Sequence, residues 1–378
     1  MDQDTAKRLF ADGGTFVMLG VPEGTEFGID MKSWNTGERF RGIKMIPPGI
    51  HYIFYSAVGS YGEISPRVGF FHNFRKSELL VKKWDKEKED ISSEEVSESE
   101  VLQLRDNILA LDKFLGPYPF DISEKWNNLS THLTETLIKN LSSSSGYVRS
   151  ALELMSCKDE DRPRAGKTVD GVAPQATRKL RPSFSYNPEN DLLPDLKAIE
   201  GTALRLNTFP ERNYPEGSTA AEITKHHLDN TYVLEVFLKN YTNPIDIIGE
   251  LEFAYICFLV GHSLEAFEHW KKLVVLLCSC ETAIKKYRAI YDDFITLLEE
   301  QVREIPEEFL ADIVANNNFV YVKLRNLFRA VMESSVDGIL KTKIERFRDQ
   351  LTEAYLWDFT HLDEEDEEDL PVVVDMSA

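Results

Sequence analysis

The chain has 378 residues, 42% of them hydrophobic, with 22 Phe, 14 Tyr and 5 Trp, enough apolar material for two cores and too much for a mostly disordered protein. Its 64 acids against 43 bases leave a net charge of −21, which repels a phosphate backbone and attracts a basic partner. The start (MDQDTAKRLF) lacks the apolar stretch of a signal peptide, and the longest apolar run, Phe253 to Val260, is too short to span a bilayer, so a cytoplasmic or also nuclear protein is expected.

In chain order, Thr15–Leu19, Phe40–Ile46, His51–Val58, Arg67–Phe74 and Glu78–Trp84 read as strands, rich in β-branched and aromatic residues. Turn signals at Pro22-Glu23-Gly24, Asn35-Thr36-Gly37, Pro47-Pro48-Gly49 and Gly59-Ser60-Tyr61-Gly62 separate them, predicting an antiparallel sandwich or barrel. The period then changes. Ser97 with Glu100 forms a capping box for a helix carrying Val101, Leu104, Ile108, Leu111 and Leu115. Asp121 with Glu124 opens a second, with Ile122, Trp126, Leu129, Leu133 and Leu137 aligned. Both helices should flank the sheet, giving an N-terminal β-rich domain over residues 1–141.

Residues 142–200 read as a linker, beginning with four serines and a glycine and continuing through a basic, Gly- and Pro-rich stretch without aliphatic period. Residues 201–360 are helical almost throughout. Thr219 with Glu222 caps one helix, Asn243-Pro244 opens another that runs to Gly261, Ser263, Glu281 and Pro306 start more, and the last begin near Phe319 and Asp337. About seven helices in an all-α layer are expected. The tail, 361–378, carries the seven acids Asp363, Glu364, Glu365, Asp366, Glu367, Glu368 and Asp369, then Leu370, Pro371 and Val372, Val373 and Val374. Three successive β-branched residues favour an extended backbone that gains stability only along another sheet edge.

The motifs that could carry chemistry fall short of it. Gly20-Val21-Pro22-Glu23-Gly24-Thr25 resembles a phosphate loop but lacks the lysine and lies between strands, which makes it a hairpin turn. His262, Glu265 and His269 have helical spacing for one face, yet a bundle metal site needs a matching second helix, and no other Glu-x-x-His exists. His226 and His227 diverge by about a hundred degrees on a helix. Cys278 and Cys280 lack the second thiol pair of a zinc shell, and with Cys257 they suit reduced, buried thiols; Cys157 lies in the linker. No Gly-x-Ser-x-Gly elbow appears. Catalytic, cofactor and metal residues are therefore expected to be absent. The run Asp85 to Glu100 reads as a solvated connection, with an acidic-directed phosphorylation site at Ser92, Ser93, Ser97 or Ser99 as the alternative.

Longer strings carry a resemblance. Gly24 to Asp30 (GTEFGID), Phe40 to His51 (FRGIKMIPPGIH), Phe114 to Pro119 (FLGPYP), Ala221 to His226 (AEITKH), Glu250 to Ala254 (ELEFA) and Glu265 to Lys271 (EAFEHWK) resemble the splicing factor family named after the mating-type A-one cistron. The resemblance implies an assembly chaperone of the U-five small nuclear ribonucleoprotein. Such a chaperone holds the large central scaffold protein of the spliceosome at its RNase H-like and JAB/MPN-like domains and keeps helicase and RNA away. It also implies a β-rich first domain, a VHS-like helical second domain, and a tail strand at Val372–Val374 bridging the two client domains. The partner is then that scaffold, bound by a monomer within a hetero-complex, without direct nucleic acid, membrane or cofactor. A VHS-like domain taken alone would suggest a trafficking adaptor instead.

Overall fold

The structure, a computed structural model, describes residues 3–59, 62–152, 154–156, 196–305 and 319–359. After helix α1 (Gln3–Asp12), two five-stranded sheets face each other. One runs in the order β8 (Asp90–Ile91), β7 (Leu79–Asp85), β1 (Gly14–Leu19), β4 (Gly42–Ile46), β9 (Leu115–Pro117). The other runs β10 (Val148–Arg149), β6 (Val68–Phe74), β5 (Gly49–Ser56), β2 (Glu26–Ile29), β3 (Lys32–Asn35). Phe16, Phe27, Ile53, Phe70 and Trp84 fill the space between them, with Phe16 and Phe27 stacked at 5.6 Å. The β-rich sandwich expected from the strand pattern is therefore present.

Several details differ from the sequence reading, each for a physical reason. The pairs β1–β7 and β4–β9 are parallel, so the first sheet is mixed. The loop Gly20–Thr25 joins β1 to β2 in different sheets, which makes it a crossing and not a hairpin turn. The hairpin β2–β3 escaped notice because its strands have four residues each, too few for a period-2 pattern. The helix opened by Ser97 keeps its capping box but stops at Asp106, and α2 (Glu98–Asp106) is followed by α3 (Ile108–Leu111). Val101, Leu104, Ile108 and Leu111 do pack on Val17 and Val81, whereas Leu115 lies in β9 of the sheet they cover.

The second flanking helix is two. Between α4 (Ser123–Leu129) and α5 (Glu135–Leu141) the hydroxyls of Ser130 and Thr131 donate back to the carbonyls of Trp126 and Asn127, in competition with helix continuation. Trp126, Leu129, Leu133 and Leu137 are buried with the C-terminal helices. Residues 142–149, read as the start of a linker, are part of the fold. Ser142, Ser143 and Val148 are buried, and β10 completes a sheet edge two residues long, too short to show in the sequence. The ribbon β11 (Leu154–Ser156) and β12 (Leu196–Ala198) closes that stretch, and residues 157–195, including Cys157, lie outside the described residues.

Eight α-helices among the described residues build the second half: α6 (Ala220–Leu228), α7 (Thr231–Phe237), α8 (Asp246–Leu259), α9 (Leu264–Cys278), α10 (Glu281–Lys286), α11 (Arg288–Glu304), α12 (Phe319–Glu333) and α13 (Gly338–Tyr355). The caps at Thr219, Ser263 and Asp337 are where the sequence placed them. A single turn at Asn243-Pro244 precedes α8, held by Asp246 N–H to the Asn243 carbonyl at 2.9 Å. Pro306 lies outside the described residues.

Helix α8 is apolar nearly all round and is buried on every side, the pattern of a central helix. One of its sides meets the sandwich. Tyr52 and Phe54 of β5 belong to the same buried cluster as the helices, Phe71 of β6 stacks on Phe253 of α8 at 5.2 Å, and Trp126 Nε1 donates to the Ile50 carbonyl at 2.8 Å. Two glycines permit the approach. A Cβ on Gly249 would sit 2.5 Å from Leu137 Cδ2 and 2.7 Å from the His132 carbonyl, and one on Gly261 would sit 2.7 Å from the Tyr52 hydroxyl.

Gly249→Ala should therefore lower unfolding stability by about 1–3 kcal/mol in urea titration, despite alanine's better helix propensity. Gly338→Ala, at the first residue of α13 with open space around it, should instead raise stability by about 0.4–1 kcal/mol.

Candidate functional site

Every imidazole and carboxylate that suggested chemistry in the sequence has a structural partner. His262 has φ of 56° and precedes the Ser263 cap, so it lies off α9 and cannot share a face with Glu265 and His269. Its Nε2 lies 3.0 Å from Nη1 of Arg67, which also donates to the Val260 carbonyl at 2.8 Å while Nη2 holds Glu26 at 2.6 Å. His269 Nε2 meets Glu250 Oε1 at 2.6 Å. Glu265 accepts the Leu204 N–H, and burial pushes its carboxyl above the usual range. Glu265 and His269, four residues apart on α9, keep a common face but take separate partners, and His262 lies off the helix.

His226 packs edge-on to Tyr232, and His227 lies 2.8 Å from Asn213. Cys257, Cys278 and Cys280 are free and buried, and burial pushes all three thiols upward, away from the reactive thiolate. In the run Asp85 to Glu100, β7 and β8 pair, Ser97 is committed to its cap, and Ser93 and Ser99 are exposed. No helix among the described residues is long and apolar enough to cross a membrane.

The sequence did not single out three buried polar groups that bind the architecture together. Asp30 accepts from Tyr118 Oη at 2.6 Å and from the Tyr52 N–H at 3.0 Å, and faces His51 Nδ1 at 2.7 Å. The other ring nitrogen of His51 faces the Pro47 carbonyl at 2.8 Å, so neither is free for acid–base work. Glu250, fully buried, is saturated by His269, Asn207 and Tyr241, and it pins the strap that carries Phe209 against α8 and α9. Glu252 accepts the His132 N–H at 2.8 Å and meets His132 Nδ1 at 2.9 Å, while His132 Nε2 reaches Asp293 of α11 at 3.3 Å. Of the three, only the His132–Glu252 dyad crosses between the halves; Asp30–His51 lies within the sandwich and Glu250–His269 within the helices.

Among the described residues, openings lined largely by apolar side chains lie on both halves. One, of about 450 Å³, lies at the mouth of the sandwich between edge strand β3 and Pro117–Asp121, lined by Trp34, Phe40 and Phe120 and crossed by the Lys32–Asp121 ion pair. The other runs along α9 beside Phe209 and Val233. The tail residues the sequence assigned to partner binding, Asp363 to Asp369 and Val372, Val373 and Val374, lie outside the described residues.

Comparison with known proteins follows the same division. The AAR2 N-terminal domain matches residues 12–143 and the AAR2 C-terminal repeat region matches residues 206–360. The chain is 40% identical over 383 residues to the protein AAR2 homolog of Homo sapiens, covering 100% of this chain and 97% of that protein. It is 32% identical to the AAR2 homolog of Caenorhabditis elegans over 93% of this chain and 96% of the relative. It is 21% identical to the A1 cistron-splicing factor AAR2 of Saccharomyces cerevisiae, over 95% and 97% respectively.

The His132 clamp makes stability depend on pH. The hydrogen bond that His132 donates to Glu252 raises the His132 pKa above its usual value, and burial raises the Glu252 carboxyl, so the folded pair holds protons more tightly than the unfolded chain. The His132 contribution is complete below the unfolded value of about 6.5 and is lost as pH rises through the higher folded value. His132→Gln should cost about 1–3 kcal/mol and flatten the stability difference between about pH 6 and pH 8, read by urea denaturation.

Proposed function

The chain belongs to the AAR2 family, and from that membership we propose that it serves pre-mRNA splicing as a non-enzymatic assembly chaperone of the U-five small nuclear ribonucleoprotein. Its client is the large central scaffold protein of the spliceosome. The chaperone engages the RNase H-like and JAB/MPN-like domains of that client and keeps helicase and RNA from binding early. The observation that carries the reading is likeness over nearly the whole length to a yeast protein named as a splicing factor. The geometry supports it, because the imidazoles and carboxylates that would mark an active site are paired with one another, within the sandwich, across the junction and within the helical half.

The acids Asp363–Asp369 speed encounter with a basic, nucleic-acid-facing client surface, and Val372–Val374 add a strand to a client sheet edge. The chain acts as a monomer within the hetero-complex, in the cytoplasm with passage to the nucleus, and contacts neither membrane nor nucleic acid directly.

Affinity purification from cell extract with mass spectrometry should recover the scaffold protein. Recovery of vesicle-coat proteins in its place would favour a VHS-type trafficking adaptor. Truncation after His361 should weaken client binding at least about tenfold with unchanged thermal unfolding, and unchanged affinity at physiological salt would refute the strand addition.

A further inference from the structure

The apolar opening along α9 continues into a second cavity. The first, of about 500 Å³, has Phe209, Val233, Val275 and Leu276 among its lining; the second, of about 310 Å³, shares Asn230 and Val275 with it and reaches α12. Four cations rim the combined groove, Lys271 and Lys272 on α9 and Lys323 and Arg329 on α12, against the carboxylates Glu268 and Glu281. Glu268 pairs with Lys271 at 2.6 Å. Lys272, Lys323 and Arg329 make no ion pair with another described residue. In a chain of net charge −21, cations gathered round an apolar floor suit an acidic segment that also carries aliphatic side chains.

The chain holds such a segment, and its root is on the same helix. Phe359 packs on Tyr321 and Phe328 of α12, at 5.3 and 5.0 Å between ring centroids, and the Asp358 carbonyl accepts from Arg325 at 3.2 Å. Tyr321, Arg325 and Phe328 form one stripe of α12; Lys323, Asn326 and Arg329, spaced by three, form the next. Asp363 follows Phe359 by four residues, a reach of about 14 Å, enough to round a helix of about 10–12 Å diameter. The seven acids extend over about 24 Å more, which carries them from α12 towards α9.

We propose that the groove between α9 and α12 binds this chain's own acidic tail in cis. Asp363–Asp369 lie against Lys323, Arg329 and Lys272, and Leu370 and Val372–Val374 lie over the Phe209–Val275 floor. The tether supplies a high effective concentration that individually weak surface charge pairs need. The inference stands whether or not the tail also engages a client; where both hold, the client displaces the tail from the groove.

The test is limited digestion of the full chain by a glutamate-specific protease, scoring cleavage at Glu364–Glu368. At low ionic strength, cleavage of the wild type should be about fivefold slower than that of Lys323→Glu/Arg329→Glu, and about 0.5 M salt should bring the wild type to the variant's rate. A synthetic peptide of residues 361–378, digested in parallel, corrects for salt effects on the protease. Lys272 is exposed, so Lys272→Glu leaves the fold intact and should speed cleavage in the same direction. Equal rates in the wild type and Lys272→Glu at low salt, or a wild-type rate equal to that of the free peptide, would overturn the proposal.

Discussion

The contact between β5, β6 and α8 is the constraint on which the rest of the molecule depends. Phe71 stacks on Phe253, Tyr52 and Phe54 share a buried cluster with the helices, and Gly249 and Gly261 leave room where any Cβ would collide. Close-packed apolar surface of this kind has few alternative arrangements, so it fixes the angle between the halves far more firmly than a covalent tether could. The N-terminal sandwich and the C-terminal helices are consequently joined by direct packing, to which the strap adds the Arg205 N–H bond to the Leu141 carbonyl and the Asn207 bond to Glu250.

Polar groups specify the junction that apolar area stabilises. Arg67 reaches from β6's approach to the C-terminal end of α8 and over the Phe54 ring, and His132 joins the turn between α4 and α5 to α8 and α11. Each of these groups is buried or half-buried, so a misaligned junction would strand a charge or an unpaired donor at high cost. Burial demands the same of the inner polar groups of each half: the Glu250 carboxylate is taken up by His269 and Tyr241, and both ring nitrogens of His51 have partners.

Openings lined by apolar side chains remain accessible on both halves. The open mouth beside Trp34 and the cation-rimmed groove along α9 lie on different halves, and the fixed junction sets the distance between them. Surfaces on the two halves therefore keep a set relation to each other, which a pair of independently moving domains could not do.

What the sequence determined by itself was local. The five longer strands, the capping boxes at Ser97 and Thr219, the caps at Ser263 and Asp337 and the β-then-α order all follow from patterns within a few turns of chain, which is why they were legible. Likeness over the whole length carried the family, a matter of shared residues rather than of physics. Tertiary structure alone decided the rest. Strands of two to four residues such as β3, β9 and β10 exist only because a neighbouring strand satisfies their hydrogen bonds. The aligned stripe from Trp126 to Leu137 is two helices, broken where Ser130 and Thr131 bond back to the chain, and both pack into the cluster around α8. His262, Glu265 and His269 shared a face on paper, but His262 is left-handed and lies outside the helix cap, while Glu265 and His269 on α9 are taken up by Leu204 and Glu250. Periodicity specifies which residues are buried, but only the packing of distant segments specifies against what.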